Sequence, residues 1–142
     1  MDTVLILQPV IAMAILTLFV ALRMLCSRVT AMRKLKIHPQ QGQDAKKLNA
    51  MLPSEVARIA NNYNHLFEQP LIFYVICLAL AIMQQVDEIH IWCAWLYTAL
   101  RFAHSWVQTT IDYVMLRFVL FVMSWMVLAV MLVRVAIYAF GI

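Results

Sequence analysis

Four long apolar stretches constrain the fold of this chain more than any other feature of its sequence. They cover roughly residues 3–25, 54–85, 89–109 and 111–140, and polar segments separate them. A helix of about 20 apolar residues crosses the hydrocarbon core of a bilayer. The four stretches therefore predict an all-α integral membrane protein, a bundle of four transmembrane helices that forms a single domain over residues 1–142.

The composition agrees with a membrane location. Of the 142 residues, 65% are hydrophobic and 13% are charged. A soluble domain of this length has too little interior to bury so much apolar surface, so lipid is the expected solvent for the excess. The cysteines Cys26, Cys77 and Cys93 have no paired spacing, and we therefore expect no disulfide, metal site or redox centre.

Positive charge is concentrated after the first apolar stretch. Eight of the eleven Lys and Arg residues lie between Arg23 and Arg58. Because Lys and Arg beside a span favour the cytoplasmic side, we expect the basic loop at residues 30–54 in the cytoplasm and both chain ends outside. This rule accounts for the charge without a nucleic acid, so membrane lipid is an expected partner and nucleic acid is not.

The second apolar stretch begins with a polar segment, RIANNYNHLFEQPLIFY, at residues 58–74. Spacings of three and four residues predict a helix with one polar face, and Ser54 is the candidate N-cap. Pro70 removes a backbone donor, which predicts a kink beside Glu68. The polar face carries Arg58, Asn62, His65 and Gln69, and Asn61 and Glu68 flank it.

The third apolar stretch has a polar face of its own, made by Tyr97, Arg101, His104 and Gln108. Arg101 lies about 18 Å along the helix from Ile89, at 1.5 Å per residue. That depth is too great for its side chain to reach the outer interface, so Arg101 should face the interior of the bundle.

All four helices are expected to place polar side chains at a similar height in the cytoplasmic half of the membrane. An arginine-rich pocket at that height would suit an anionic ligand with carboxylate or thiolate groups. The alternative is a set of internal ion pairs, such as Glu68 with Arg101 or Arg117, that only fixes the packing. The candidate ligand-binding residues are Arg58, Asn61, Asn62, Asn64, His65, Glu68, Arg101, His104 and Arg117.

Two smaller groups of residues leave alternatives open. His65 and His104 could ligate a haem iron axially, but two lone histidines more often form a hydrogen-bonded pair. Arg23, Arg28 and Arg33 are typical of side chains that anchor a helix at the cytoplasmic interface. Alternatively one of them, Arg28 in the first place, turns inward to meet an anion.

The spacing of the four spans, the basic loop and three motifs together resemble the MAPEG family, membrane-associated proteins of eicosanoid and glutathione metabolism. The motifs are the segment at residues 58–74, LYTALRFAHSW at residues 96–106 and LRF at residues 116–118. The resemblance covers essentially the whole chain and is greatest to the small bacterial members. It implies a homotrimer of four-helix subunits in the bacterial inner membrane.

The resemblance also implies a glutathione site between neighbouring subunits, near the cytoplasmic face. In it, Arg58, an asparagine of the Asn61–Asn64 run and Glu68 would hold the charged ends of the peptide. An arginine at the end of the first span, Arg28 or Arg23, would be the catalytic group that stabilises the thiolate.

The chain departs from the family's enzymes at two places. The family's enzymes have an asparagine and a glutamate three residues apart in this helix. Here Asn64 and Glu68 are four residues apart, and the residue three positions after Asn62 is His65 instead of a glutamate. Phe102 and Trp106 stand where the eukaryotic enzymes have tyrosines that contact glutathione.

Two functions from different classes fit this sequence. The first is a membrane enzyme with glutathione transferase-like or peroxidase-like activity, which transfers a thiol to lipophilic electrophiles or uses it to reduce them. The second is a non-enzymatic membrane subunit or scaffold that binds a partner protein, such as another membrane-protein subunit, or lipid.

Overall fold

The computed structural model of the protein describes residues 3–141, and its regular structure is entirely helical over that range. The all-α prediction is confirmed. Short 3-10 helices at Thr3–Ile6 and Pro39–Gln43 precede the first two α-helices. The six α-helices are α1 (Leu7–Lys34), α2 (Ala45–Met51), α3 (Ser54–His65), α4 (Gln69–Met83), α5 (Glu88–Thr109) and α6 (Val114–Phe140).

Three segments within residues 3–141 are long and apolar enough to cross a membrane. They are Thr3–Lys34, Ser54–Met83 and Val114–Phe140. The helix α5 is not among them, because its interior face carries a row of polar side chains that lowers its hydropathy. Length and composition therefore support three spans directly, and a fourth span through α5 stays a prediction.

The segment between the first two spans, expected to be a basic loop at residues 30–54, is mostly helical. The Asp44 carboxylate caps α2 by accepting hydrogen bonds from the backbone N–H groups of Lys46 at 2.9 Å and Lys47 at 3.3 Å. Leu48 of α2 is buried in a small cluster with Ala31 near the C-terminal end of α1. A seven-residue helix carries too little periodicity to be recognised from sequence alone.

Several predicted helix boundaries also shift. The first helix does not end near Leu25 but continues to Lys34, beyond the apolar stretch. The helix α3 begins at Ser54 itself, and Pro53 occupies the N-cap position predicted for Ser54. The carbonyl of Pro53 accepts a hydrogen bond from the Val56 N–H at 3.0 Å, in the first turn of the helix.

The second predicted helix is interrupted at residues 66–68, which separate α3 from α4. Glu68 has φ −93° and ψ −92°, outside the helical region. Pro70 lies in the first turn of α4. The N–H groups of a first turn have no acceptor within their helix, so the missing N–H of Pro70 costs no hydrogen bond. The kink predicted at this proline is confirmed in position, but the helix stops and restarts instead of bending.

The apolar core lies in the middle of the bundle. Phe73 of α4 and Tyr97 of α5 are fully buried and stack with ring centroids 4.5 Å apart. Met13 of α1 and Leu128 of α6 complete the same cluster. Large apolar side chains also cover the outside of the helices, with Trp92 75% exposed, and this surface suits lipid.

Candidate functional site

Arg101 joins the two halves of the interrupted helix. It is 1% exposed, and its Nη2 donates to the His65 backbone carbonyl at 3.3 Å. Its Nη1 donates to Gln69 Oε1 at 3.1 Å, and the same oxygen accepts from Ser124 Oγ of α6 at 3.2 Å. Carbonyls at the end of a helix lack intrahelical partners and favour a positive charge, so the interruption provides a polar setting for a buried guanidinium.

Arg101 has no carboxylate partner among residues 3–141. None of the ion pairs within that range involves it, and its Nε is buried without a hydrogen-bond partner. Glu68 acts on Arg101 electrostatically but without a direct ion pair, so the region around this buried cation still attracts negative charge.

Internal ion pairs, predicted as the alternative to an anion pocket, do form, but with other partners than the two given as examples: the Asp112 carboxylate pairs with Arg58 and with Arg117. Glu68 Oε2 lies 2.9 Å from His65 Nδ1 and makes no ion pair with Arg101 or Arg117 in the part of the chain described. Glu68 is 64% exposed, because the interruption of the helix turns it outward. Its charge therefore faces the surface of the single chain instead of the bundle interior.

A polar cavity of about 260 Å³ opens beside the interruption, between α3, the end of α5 and the start of α6. Two of its lining residues are arginines and one is a glutamate, so it presents charges of both signs. Six of its seven lining residues were predicted to bind ligand. The lining residues are Arg58, Asn61, Asn64, His65, Glu68, Arg117 and the additional Gln108.

The other three predicted ligand-binding residues lie deeper than this polar cavity. Asn62 is fully buried and accepts a hydrogen bond from Ser105 Oγ at 3.1 Å. Arg101 lies behind His65, and His104 is 5% exposed with its Nδ1 lacking a partner. These residues support the polar cavity from behind and do not line it.

A second cavity of about 270 Å³ adjoins the first and is mainly apolar. His65 and Arg117 line both cavities. The rest of the apolar cavity is made by His104, Val114, Phe118 and Phe121. Polar and aromatic surfaces therefore meet at His65 and Arg117.

The two histidines do not form the hydrogen-bonded pair that was expected, because His65 contacts Glu68 instead. They share the apolar cavity as neighbours. Within residues 3–141, no group of three or more His, Cys, Asp or Glu side chains is arranged to hold a metal ion.

Asp112 links the two arginines of the polar cavity. Its carboxylate contacts the Arg117 guanidinium and lies 3.4 Å from Nη1 of Arg58. It sits in the turn between α5 and α6 with φ +52°, and its N–H donates to the Val107 carbonyl at 2.8 Å. The sequence did not predict this contact, because a turn residue follows no helical period.

The two predicted catalytic arginines do not line the polar cavity of their own chain. Arg23 donates to Thr109 Oγ1 at 2.9 Å and to the Thr109 carbonyl at 3.3 Å, at the end of α5. Arg28 donates to Asn49 Oδ1 of α2 at 2.9 Å.

Phe102 and Trp106, which replace the family's tyrosines, also lie away from the polar cavity. They line an apolar groove of about 390 Å³ between α5 and α1, with Phe19 on the opposite wall and Arg23 at one end. Trp106 is 67% exposed in the single chain. The replacement of tyrosines by Phe102 and Trp106 therefore alters the apolar groove and not the polar cavity that Arg58 and Arg117 line.

Some residues of the site were missed by sequence reasoning. Gln69 and Gln108 lie on the two predicted polar faces, so the helical period could have identified them as site residues. Ser124 lies in an otherwise apolar run, and Asn49 lies in the short helix α2. No sequence signal distinguishes the last two from ordinary polar residues.

Comparison with known proteins supports the resemblance drawn from the sequence. The MAPEG family model matches residues 6–137. No curated protein and no solved structure matches the chain. The family match includes every helix that forms the polar cavity and both motifs with their polar faces. The chain belongs to the MAPEG family.

Proposed function

We propose that this MAPEG protein is a membrane enzyme that binds glutathione or a similar anionic thiol. It would transfer the thiol to lipophilic electrophiles or use it to reduce them. The observation that carries the proposal is the polar cavity, in which Arg58 and Arg117 are cations and Glu68 is an anion. Glutathione has carboxylates at both ends and an ammonium group at one, so this cavity offers each charge an opposite partner.

Unused donors on the cavity arginines also support an anionic ligand. The Nε atoms of Arg58 and Arg117 are buried without hydrogen-bond partners. A buried donor that lacks a partner is costly, and a ligand carboxylate would be a suitable acceptor once the guanidinium group turns toward the cavity. Arg101 adds positive charge from behind His65 and makes no ion pair within residues 3–141.

A neighbouring subunit would complete the site. The polar cavity, at about 260 Å³, is smaller than ordinary ligand pockets of about 300–1,000 Å³. Its wall is open, because Asn61, Asn64 and Glu68 are exposed in the single chain. In the proposed homotrimer, this wall would pack against another copy. The neighbouring subunit's Arg28 or Arg23 would then reach the cavity and stabilise the thiolate.

The adjoining cavities suggest how the two reactants would meet. A guanidinium near sulfur favours the thiolate, which is the nucleophilic form. The sulfur would form a bond to the electrophilic carbon, and the displaced group would leave with the bonding electron pair. Arg117 and His65 border both the polar and the apolar cavity, so a thiol in one lies beside a lipophilic electrophile in the other.

The same proposal includes a membrane arrangement. All four long segments would cross the bacterial inner membrane, with α5 as the fourth span protected from lipid on its polar face by the other helices. The basic segment at residues 30–54 would then be cytoplasmic and both chain ends outside. This arrangement puts the polar cavity near the cytoplasmic face, where a cytosolic thiol is available.

Equilibrium binding tests the proposal. The purified protein should bind glutathione saturably. Glu68→Ala should weaken binding by about tenfold or more, because it removes a charged partner that lines the cavity, and Arg101→Ala should weaken it as well, because it removes the positive charge behind His65. Glu88→Gln and Arg33→Ala are matched controls, because both residues are exposed and outside the cavity. No saturable binding at millimolar thiol would remove the proposal.

A second candidate is a non-enzymatic membrane subunit that binds lipid or another membrane protein. The exposed Phe102 and Trp106 favour it, because they form an apolar groove where the family's enzymes carry tyrosines. This candidate predicts stable co-purification with a membrane complex. It also predicts no turnover of a generic electrophile such as chlorodinitrobenzene with glutathione.

A further inference from the structure

We propose that Asp112 is a built-in counter-ion of the polar cavity, which a ligand carboxylate displaces from Arg58. The inference rests on the proposed anionic ligand and concerns how its site is regulated. It gives a role to a carboxylate that contacts two cavity arginines without lining the cavity itself.

The backbone fixes the position of the Asp112 carboxylate. Asp112 has a left-handed conformation, φ +52°, and its N–H closes the end of α5 by donating to the Val107 carbonyl at 2.8 Å. Asp and Asn adopt this conformation more readily than other non-glycine residues. The turn thereby holds the carboxylate between Arg58 of α3 and Arg117 of α6.

Asp112 and a ligand carboxylate would compete for the same arginine. Arg58 and Arg117 supply two positive charges, Glu68 and Asp112 supply two negative charges, and Arg101 adds positive charge from behind His65. The side chains of Arg58, Asp112 and Arg117 are 24%, 28% and 27% exposed, so solvent screens them only in part. A ligand carboxylate that binds Arg58 would therefore replace the Asp112 carboxylate there.

Arg58 is the arginine that would be released. Its Nη1 lies 3.4 Å from the Asp112 carboxylate, whereas the contact with Arg117 is shorter and is also a hydrogen bond. Arg58 lies on the half-helix α3, which is not continuous with α4. Arg117 is held close to the turn, because its N–H donates to the Tyr113 carbonyl at 3.1 Å.

Two variants remove the charge of Asp112 without disturbing the turn. Asp112→Asn and Asp112→Gly both tolerate a positive φ. Each should tighten glutathione binding by about three- to tenfold, the scale of one partly exposed ion pair with its hydrogen bond. Binding of the glutathione diester, whose carboxylates are blocked, should not change. Glu88→Gln is the matched control, because it removes an exposed carboxylate outside the cavity.

A purely structural role for Asp112 predicts the opposite result. If Asp112 only holds Arg58 and Arg117 in place, both variants would weaken binding of glutathione and of the diester alike. That outcome, or unchanged glutathione binding, would overturn the inference.

Labelling of arginine tests the same contact without a ligand. Phenylglyoxal modification of Arg58, measured by mass spectrometry against the exposed Arg33, should be faster in Asp112→Asn than in the wild type. Unchanged labelling of Arg58 would overturn the inference even if glutathione binds. If glutathione does not bind the wild type, the proposed function fails, while the labelling still decides whether Asp112 restrains Arg58.

Discussion

At the scale of single residues, Arg101 does most to shape the site. Its planar guanidinium reaches the His65 carbonyl at the end of α3 and Gln69 at the start of α4 simultaneously. These contacts explain why a cation can be buried at this depth and why the helix can be interrupted there. They also leave its charge without a carboxylate partner in residues 3–141, which favours an anion nearby.

Arg101→Lys should separate the geometry of this residue from its charge. Lysine keeps the charge but lacks the fork that bonds two acceptors at once, so one buried acceptor loses its partner. We expect a loss of about 1–2 kcal/mol in unfolding free energy. Thermal unfolding of the detergent-solubilised protein, followed by helicity, measures it. Arg33→Lys, at an exposed position, is the control, and an equal loss in both variants would contradict this role of Arg101.

A second polar cluster lies at the opposite end of the bundle, in the turn before α5. The Asp87 carboxylate contacts Arg134 of α6 and lies 2.7 Å from His90 Nδ1. Burial alone raises the pKa of Asp87, but the hydrogen bond from the His90 backbone N–H and the nearby His90 and Arg134 together hold it below 3.8. The ionised carboxylate therefore stabilises the fold, and it ties the turn to α6.

The stability that Asp87 contributes should depend on pH. Because its pKa is lower in the folded protein, the contribution is complete above the unfolded pKa of about 4 and is lost as the pH falls through the folded value. Asp87→Asn should lower the unfolding temperature by a few degrees at pH 7, about 1 kcal/mol or less because the group is 37% exposed.

Thermal unfolding of both proteins between pH 7 and about pH 3 measures this effect, and the difference should shrink over the acid range. Glu88→Gln is the control, since Glu88 is exposed and makes no ion pair within the range the structure describes. A difference between wild type and Asp87→Asn that stays constant over this pH range would contradict the assignment.

At the scale of helices, the interruption between α3 and α4 determines where the site can form. It turns Glu68 outward, frees the His65 carbonyl for Arg101 and places Gln69 beside Ser124. A continuous helix would engage these backbone groups internally. Through this interruption, Pro70 affects which charged and polar groups face the polar cavity.

Pro70→Ala should bring the two half-helices closer to one continuous helix. Alanine restores an N–H that can bond the Leu66 carbonyl, so amides at residues 67–70 should exchange hydrogen more slowly. Glutathione binding should weaken at the same time, without loss of thermal stability. Pro53→Ala, before α3, is the control. Unchanged exchange at residues 67–70 would mean that the Arg101 contacts maintain the interruption without the proline.

The sequence predicted the long helices and their polar faces better than it predicted the contacts within the site. Long apolar stretches identified α1, α4 and α6, and helical spacing identified the polar faces that carry Arg58 and Arg101. It missed α2, because seven residues show little periodicity, and it missed the contact of Asp112, because tertiary packing positions a turn residue. It also missed the contact of Arg28 with Asn49, because Asn49 lies in the short helix α2.

At the scale of the whole molecule, the central prediction is a protein with four spans. Three segments meet the length and hydropathy of a span directly, and α5 would be the fourth. A four-span arrangement puts residues 84–87 on one side of the membrane and residues 110–113 on the other. The polar face of α5 would then face other helices and not lipid.

Single cysteines in a cysteine-free variant should reveal this arrangement. With a membrane-impermeant maleimide, Gln85→Cys should react from the outside, whereas Gly42→Cys and Thr110→Cys should react only from the cytoplasmic side. A side chain at Gly42 is tolerated, because its Cβ would lie 3.6 Å from Leu48 Cδ2. Reaction of Gln85→Cys and Thr110→Cys from the same side would exclude α5 as a span.

The most direct test of the proposed function is an experimental structure of the protein purified with millimolar glutathione. We expect a homotrimer with ligand density in contact with Arg58, Glu68 and Arg117. We also expect Arg28 or Arg23 of a neighbouring subunit to approach the ligand's sulfur. A polar cavity filled by side chains of another copy or of a partner protein, with no ligand density, would contradict this account of the site.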